Sequence, residues 1–234
     1  MTGSPLESHI VFSVGPVAVT EPVVVTWVLM AVLAVGGWAA GRGLKLEPTR
    51  RQAVFEMIVE AIQGQIRDTM HASPRPYLPL LGTIFLFILT ANWSSLIPGV
   101  EPPTAHLETD AALALIVFMA VIWFGVRARG VRGYLKSFAQ PALFMVPLNI
   151  ISTFARTLAM IVRLFGNVMS GVFIIGVILS LAGLLVPIPL MALDLLTGAV
   201  QAYIFTVLAM VFIGSAVSGG EGAAESQETQ EAGS

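Results

Sequence analysis

The stretch "TLAMIVRLFGNVMSG", residues 157–171, places Arg163 in the middle of a long apolar run, with Arg156 two helical turns before it. An arginine at mid-membrane costs about 2.5–3.5 kcal/mol on insertion scales. Arg163 lies more than a dozen residues from either end of its apolar run, so its side chain is too far from a helix end to reach an interface. Its presence therefore predicts a function, whereas a structural and a functional role both stay open for Arg156.

A guanidinium at residue 163 is a permanent positive charge, because arginine is not deprotonated in proteins. It cannot relay a proton itself, but it attracts a carboxylate and favours the ionised form of that group. A carboxylate carried past Arg163 on another subunit would have to release its proton or ion there. Arg163 is thus predicted to act as a gate, and a structural ion pair with Asp194 is the alternative that the sequence leaves open.

The composition is that of an integral membrane protein. Of the 234 residues, 56% are hydrophobic and only 11% are charged, whereas a soluble domain carries about a quarter charged residues. The net charge of −2 gives no indication of nucleic-acid binding. Without cysteine, and without histidines at metal-ligand spacing, we expect no metal site and no cofactor. No GxxxxGK[ST] motif occurs, so we expect no nucleotide site in this chain.

The apolar segments predict an all-α integral membrane protein with five transmembrane helices and one amphipathic cytoplasmic helix. The predicted spans are residues 22–41, 77–97, 111–126, 141–185 and 188–217. The amphipathic helix is predicted at residues 49–70, and residues 218–234 are predicted to form a disordered cytoplasmic tail after a single membrane domain, 1–217. Both Arg- and Lys-rich connectors belong in the cytoplasm by the positive-inside rule, which puts the N-terminus outside and the C-terminus inside.

The last two apolar segments are longer than a membrane is thick. A continuous helix over residues 149–185 would be about 55 Å long, and one over residues 188–217 about 45 Å, at a rise of about 1.5 Å per residue. The hydrocarbon core of a bilayer measures only about 30 Å. Both helices are therefore predicted to tilt steeply and to present a broad face to a neighbouring protein.

Polar side chains of these two helices fall on shared faces. On the first helix one stripe comprises Asn149, Thr153, Arg156, Met160, Arg163, Asn167 and Ser170, at spacings of three and four. On the second helix Asp194, Gly198 and Gln201 share a face. Because polar groups are unfavourable in lipid, both faces are predicted to contact protein or water.

Five segments of the chain carry a resemblance to a known family. They are "TIFLFILTANWSSLIPG" (83–99), "PPTAHLETDAALALIVF" (102–118), "GVRARGVRGYLKSF" (125–138), "ARTLAMIVRLFGNVMSG" (155–171) and "LDLLTGAVQAYIFTVLAMVFI" (193–213). In this order they resemble subunit a of the rotary F-type ATP synthases, over most of the chain from about residue 76 to 217. The core "RLFGN" followed by "QAYIF" is the specific part of the resemblance.

The resemblance implies that Arg163 is the essential stator arginine facing a ring of c subunits, with Asn167 and Gln201 close to it. It also places Asp194 in a half-channel open to the outside. H⁺ or Na⁺ would enter there, bind a carboxylate on the c-ring, travel almost a full turn and leave by a cytoplasmic half-channel. The further candidates for the ion pathway are Ser170, Arg156 and His106.

The partners implied by the resemblance are a c-ring of small hairpin subunits with a membrane carboxylate, peripheral-stalk b subunits and, indirectly, the soluble ATPase head. The implied location is the lipid bilayer of a bacterial inner membrane, with no nucleic-acid partner. The chain would then be an ion-translocating subunit, and ATP chemistry would belong to partner chains.

Three departures from the family pattern concern the ion pathway. Some members carry a glutamate nine residues after the essential arginine, where this chain has Val172, and an outer loop that often reads "TADLN" here has His106 in place of the aspartate. The "RTLA" lead-in that begins at Arg156 resembles the divergent N-type branch, sometimes linked to Na⁺, so the transported ion stays open. The alternative class is a stand-alone secondary transporter or channel, with Asp194 and the two arginines around a midplane site.

Overall fold

The computed structural model describes residues 10–14, 17–42, 50–97, 100–138, 145–183 and 186–218. Within these ranges the chain forms six α-helices: α1 (Glu21–Gly41), α2 (Arg50–Met70), α3 (Leu78–Trp93), α4 (Leu107–Phe138), α5 (Met145–Ala182) and α6 (Ile188–Ser218). An antiparallel hairpin of β1 (Ile10–Val14) and β2 (Val17–Thr20) precedes them. All of these helices except α2 are long and apolar enough to cross a membrane. The predicted all-α membrane class with five spans is confirmed, and the structure adds the hairpin. The predicted tail, from residue 219 on, lies outside the described residues.

The core lies where α3, α4, α5 and α6 meet. Its largest fully buried side chains include Leu81 and Ile88 of α3, Val117 of α4, Leu164 of α5 and Phe205 of α6. By contrast, α1 is mostly exposed and has Pro22 in its first turn, a position where the missing amide proton of proline is not needed. Packing between α3 and α6 is therefore central, and α1 is peripheral.

The third span is longer at both ends than the sequence predicted. The sequence predicts a span over residues 111–126, which ends where arginines begin. The structure continues as helix from Leu107 to Phe138, with a kink at Gly130, whose φ of 72° and ψ of 161° are not helical. The prediction was wrong because arginine is a good helix former. A change from apolar to charged sequence marks the edge of the membrane, not the end of a helix.

Helices α5 and α6 are continuous over 38 and 31 residues. At a rise of about 1.5 Å per residue they are about 57 Å and 46 Å long. The turn between them begins at Gly183, whose φ of 75° suits a glycine just after a helix end. The amide of Met191 then donates to the carbonyl of Pro187 at 2.8 Å, in the first turn of α6.

The amphipathic helix α2 packs against the other helices through its C-terminal half. Ile66 and Met70 are buried, whereas Met57 in the N-terminal half is 67% exposed. The hydroxyl of Tyr203 on α6 donates to Gln65 Oε1 at 3.0 Å. The last turns of the amphipathic helix therefore pack against the rest of the same chain.

A close approach of α3 and α6 depends on Gly198, because a Cβ atom there would lie 3.0 Å from Asn92 Cβ. We expect Gly198→Val to destabilise the protein by about 1–3 kcal/mol, the usual cost of overpacking. The measurement is the midpoint of thermal unfolding of the detergent-solubilised protein, followed by circular dichroism. Gly37→Val on α1 is the control, since no atom lies within 4 Å of a Cβ placed at Gly37. Equal midpoints for the two variants would contradict this assignment.

Candidate functional site

Two contacts fix how α5 and α6 lie side by side. The carboxylate of Asp194 packs directly on Gly171, where a Cβ atom would collide with Oδ1. At the other end, the guanidinium carbon of Arg156 lies 5.6 Å from the centre of the Phe212 ring, within cation–π range. The two helices are therefore antiparallel. Moving eight residues from Gly171 back to Arg163 corresponds to moving eight residues forward from Asp194 to Ala202. Counting seven residues from Arg156 to Arg163, and seven back from Phe212, gives Phe205, so Arg163 lies level with residues 202–205 of α6.

Arg163 lies on an open side of the molecule. Its side chain is exposed, while Leu164 next to it is fully buried against the core. No hydrogen bond or ion pair joins Arg163 to any described residue. The structural ion pair with Asp194 that the sequence left open is therefore not formed within the described part of the chain. Large apolar side chains on the same helix, among them Phe154, Leu158 and Val162, are also exposed. The cation thus lies on a broad apolar surface, and no described residue serves as its counter-ion.

Asp194 is held at the start of α6 by the end of α3. Ser95 Oγ donates to Asp194 Oδ2 at 3.3 Å, and the indole Nε1 of Trp93 donates to the carbonyl of Leu195 at 3.2 Å. The carboxylate is half-buried between these residues and Gly171. It lies eight residues, just over two helical turns, from the depth of Arg163. We call this end of the molecule, formed by residues 94–97 and 100–106 with the adjoining ends of α5 and α6, the loop end.

A buried network of hydrogen bonds ties the loop end to the core. Asn92 Nδ2 donates to the carbonyl of Gly198 at 2.9 Å, and Thr104 Oγ1 donates to Asn92 Oδ1 at 2.7 Å. Both polar atoms of the Asn92 side chain, Nδ2 and Oδ1, thus have hydrogen-bond partners that are distant in sequence. Sequence reasoning did not single out either side chain, because neither is part of a periodic stripe. The only sequence signal for this hydrogen-bond network is a polar residue, Asn92, within an apolar helix.

An open cavity of about 350 Å³ lies at the loop end. Its lining residues include Glu101, His106, Val172, Gly176 and Ser180. His106 Nε2 lies 3.4 Å from Glu101 Oε2, an ion-pair distance, although the geometry is not that of a hydrogen bond. The cavity therefore brings an acid and a histidine of the loop beside the last turns of α5.

The remaining predicted site residues differ in their surroundings. Gln201 is 6% exposed and Asn167 is half-buried, and an amide nitrogen of each is buried without a hydrogen-bond partner among the described residues. Ser170 is exposed, and its hydroxyl donates to the carbonyl of Asn167 in its own helix at 2.9 Å. Arg156 is exposed and lies two turns beyond Arg163, away from the loop end. The structure thus brings Asn167 close to the depth of Gln201, with Arg163 one helical turn further along α5. The side chain of Asn149 lies outside the described residues.

Sequence reasoning missed one buried acid. Asp110 precedes the predicted third span, but it lies in the first turn of α4 and is 0% exposed. Neither of its carboxylate oxygens has a hydrogen-bond partner among the described residues. The signal that could have found it is its spacing from Leu113, Ala114 and Val117, which form the buried face of α4.

The fold and this site define a multi-pass membrane protein with polar side chains between long apolar helices and an unpaired cation on its side. The model of the family described as ATP synthase A chain matches residues 23–214. The chain belongs to this family.

Relatives of similar length support the assignment. The chain is 59% identical over 217 residues to ATP synthase subunit a 2 of Bradyrhizobium sp. (strain BTAi1), covering 93% of this chain and 97% of the relative. It is 51% identical over 199 residues to ATP synthase subunit a of Albidiferax ferrireducens, covering 84% and 86%. It is 49% identical over 209 residues to ATP synthase subunit a 1 of Prosthecochloris aestuarii, covering 88% and 94%. The family resemblance is confirmed, while membership of the N-type branch stays a prediction.

The register of α5 and α6 predicts a disulfide between residues 171 and 194. Asp194 Cγ lies 2.9 Å from the Cβ position of residue 171, and one C–C bond adds at most about 1.5 Å. The Cβ–Cβ distance is therefore within the reach of a disulfide, about 3.5–4.5 Å. We expect the double variant Gly171→Cys, Asp194→Cys to cross-link on mild oxidation, as measured by intact mass. The control pair Gly176→Cys, Asp194→Cys should not, because a Cβ at Gly176 has no neighbour within 4 Å. Equal yields would contradict the register.

Proposed function

We propose that this chain is the ion-channel subunit of a rotary F-type ATP synthase, and that Arg163 is its stator arginine. Membership of the ATP synthase A chain family supports the first statement. The observation that carries the second is a permanent charge without a counter-ion among the described residues, exposed on an apolar side of the molecule within about one helical turn of the depth of Gln201. A group that neutralises this charge must come from a neighbouring subunit.

The chemistry of Arg163 follows from its fixed charge. A carboxyl group that comes within about 4 Å of it gains about 4 kcal/mol on ionisation at an effective dielectric constant of about 20. This energy favours release of the bound proton or ion by about a thousandfold. Arg163 itself takes up nothing, since a guanidinium stays protonated. A rotor carboxylate therefore arrives loaded, is emptied beside Arg163, and is loaded again only after it has moved past.

The loop end supplies the route for loading from outside the cell. The cavity with Glu101 and His106 opens at this end, and Asp194 lies between it and the depth of Arg163. Ser170, Asn167 and Gln201 continue with polar groups over the remaining turns. The transported ion, H⁺ or Na⁺, thus meets polar side chains in the cavity, at Asp194 and over these turns.

The second route, to the cytoplasm, begins beyond Arg163. Arg156 lies on that side, two turns from Arg163, with its guanidinium over Phe212. In this topology the N-terminus is outside, the connectors that contain the basic residues are cytoplasmic, and the C-terminus is inside.

The partners proposed for the chain follow from its exposed face. A c-ring of small hairpin subunits with a membrane carboxylate covers the apolar side around Arg163. Peripheral-stalk b subunits hold the chain against rotation, and the soluble ATPase head carries the nucleotide chemistry. The complex resides in a bacterial inner membrane, which agrees with the bacterial relatives.

A stand-alone transporter with a midplane Arg–Asp site is not favoured. The relatives are subunits of ATP synthases by name. Asp194 and Arg163 lie more than two turns apart in depth, and no ion pair joins them in the described part of the chain.

The function predicts that Arg163→Ala abolishes ion pumping. ATP-driven ion uptake by inverted membrane vesicles should fall to background, because a rotor carboxylate is no longer emptied. Arg132→Ala is the matched control, since Arg132 is an exposed arginine of α4, and it should pump normally. Normal pumping by an intact Arg163→Ala complex would contradict the proposal.

Purification in mild detergent distinguishes a subunit of a rotary complex from a stand-alone transporter. As a subunit of a rotary complex, the chain is expected to be recovered with a ring of small hairpin proteins, each with a membrane carboxylate. Mass spectrometry of the intact complex measures this. Recovery as a monomer or homo-oligomer that still transports ions would support the transporter instead.

A further inference from the structure

Three polar side chains on three different helices have buried atoms without hydrogen-bond partners among the described residues. Six buried side-chain nitrogen or oxygen atoms have no hydrogen bond in the described part of the chain, and four of them belong to Asp110, Asn167 and Gln201. The unsatisfied atoms of Asp110 are both of its carboxylate oxygens, which accept hydrogen bonds. Those of Asn167 and Gln201 are amide nitrogens, which donate them. Acceptors on α4 thus complement donors on α5 and α6.

The contacts between helices place these three residues at one depth. Asn167 lies four residues before Gly171, which pairs with Asp194, and 11 residues after Arg156, which stacks on Phe212. Counting along α6 from these two contacts places Asn167 level with residues 198–201.

An independent contact, between α4 and α6, places Asp110 at the same depth. A Cβ atom on Gly125 of α4 would lie 3.3 Å from Ala216 Cβ of α6, so these positions are in contact. Thr104, just before α4, is linked through Asn92 to Gly198, so α4 and α6 run in the same direction. Asp110 lies 15 residues before Gly125, and Gln201 lies 15 residues before Ala216. Equal helical rise therefore puts Asp110 level with Gln201.

Asp110 faces the interior and not the lipid. It shares the buried face of α4 with Leu113 and Val117, which belong to the core. Its amide donates to the carbonyl of His106 at 3.3 Å, so it lies one helical turn deeper than a residue that lines the open cavity. A buried carboxylate without a partner is strongly unfavourable. It needs a bound proton, a cation, or ordered water that makes about three hydrogen bonds.

We propose that Asp110, Asn167 and Gln201 surround a hydrated site in which the Asp110 carboxylate binds the transported cation. The cation is held either as a proton on a carboxylate oxygen or as Na⁺ ligated by carboxylate and amide oxygens. It reaches the site from the cavity past His106 and leaves toward the surface that bears Arg163. This inference rests on the proposed function, and it adds a carboxylate to the path from the loop end, besides Asp194.

The first test is access of water to residue 110. The chain has no cysteine, so Asp110→Cys and Ala114→Cys each introduce its only thiol. Ala114 is equally buried on the same face, one turn further along. Intact complexes are treated with a small, water-soluble methanethiosulfonate, and the mass of this chain is followed with time. We expect the thiol at residue 110 to react at least about tenfold faster than the thiol at residue 114. Equal rates would overturn the hydrated site.

The second test is ion transport by the whole complex. Asp110→Asn keeps the shape of the side chain but cannot bind a proton or balance a cation. ATP-driven uptake of the ion that the unaltered complex pumps should fall about tenfold or more, as for the loss of a proton-transfer group. Asp110→Glu should restore part of it. The control Glu108→Gln removes an exposed acid from the same first turn of α4, and it should pump normally.

The outcomes separate this inference from the function on which it rests. If Arg163→Ala abolishes pumping but Asp110→Asn pumps like Glu108→Gln, the site at Asp110 is refuted and the proposed function stands. If Arg163→Ala pumps normally, the function itself fails. If Asp110→Asn does not assemble, the reaction rates of the thiols at residues 110 and 114 decide. Comparing uptake of Na⁺ with acidification identifies which cation the site binds.

Discussion

The constraint on which the structure depends is the unpaired guanidinium of Arg163 on an apolar side of the bundle. Placing an arginine in a membrane costs about 2.5–3.5 kcal/mol on insertion scales, and no described residue of this chain offsets that cost with an ion pair. The positive charge of Arg163 is therefore not balanced within the described part of the chain. Its long helices carry the cation on a surface where a neighbouring subunit can approach, and the core lies behind them.

Small residues set the depth of the functional groups. Gly171 accommodates the carboxylate of Asp194, Gly198 allows α3 to approach α6, and Gly125 lies against the last turns of α6. Larger side chains at these positions would separate the helices and displace one helix along the next. The register of α3, α4 and α5 against α6 is thus fixed at three places, one for each helix. The depths of Asp194 and Gln201 relative to Arg163 follow from it.

Much of the fold and part of the site could be predicted from the sequence. Apolar length and helical periodicity gave the five spans, and the spacing of Arg163 and Asn167 placed both on one stripe, because these are local properties of a helix. The bonds of Asn92 to Gly198 and Thr104 are not local, and periodicity carries no information about them. Asp110 was misplaced for a related reason. A stretch that contains prolines and acids indicates a loop, although here it turns inward and covers the first turn of α4.

In the proposed function, the same charge that empties a rotor carboxylate also separates the two ion routes. The route from the loop end passes Asp194 and reaches Arg163 from one side, and Arg156 lies on the other. Behind Arg163 the buried apolar side chains of Met160 and Leu164 form part of the packed core. A cation that leaves the first route is repelled by the guanidinium and blocked by the core. The cation can then cross the membrane only when it is bound to a moving rotor carboxylate. Ion flow is therefore coupled to rotation.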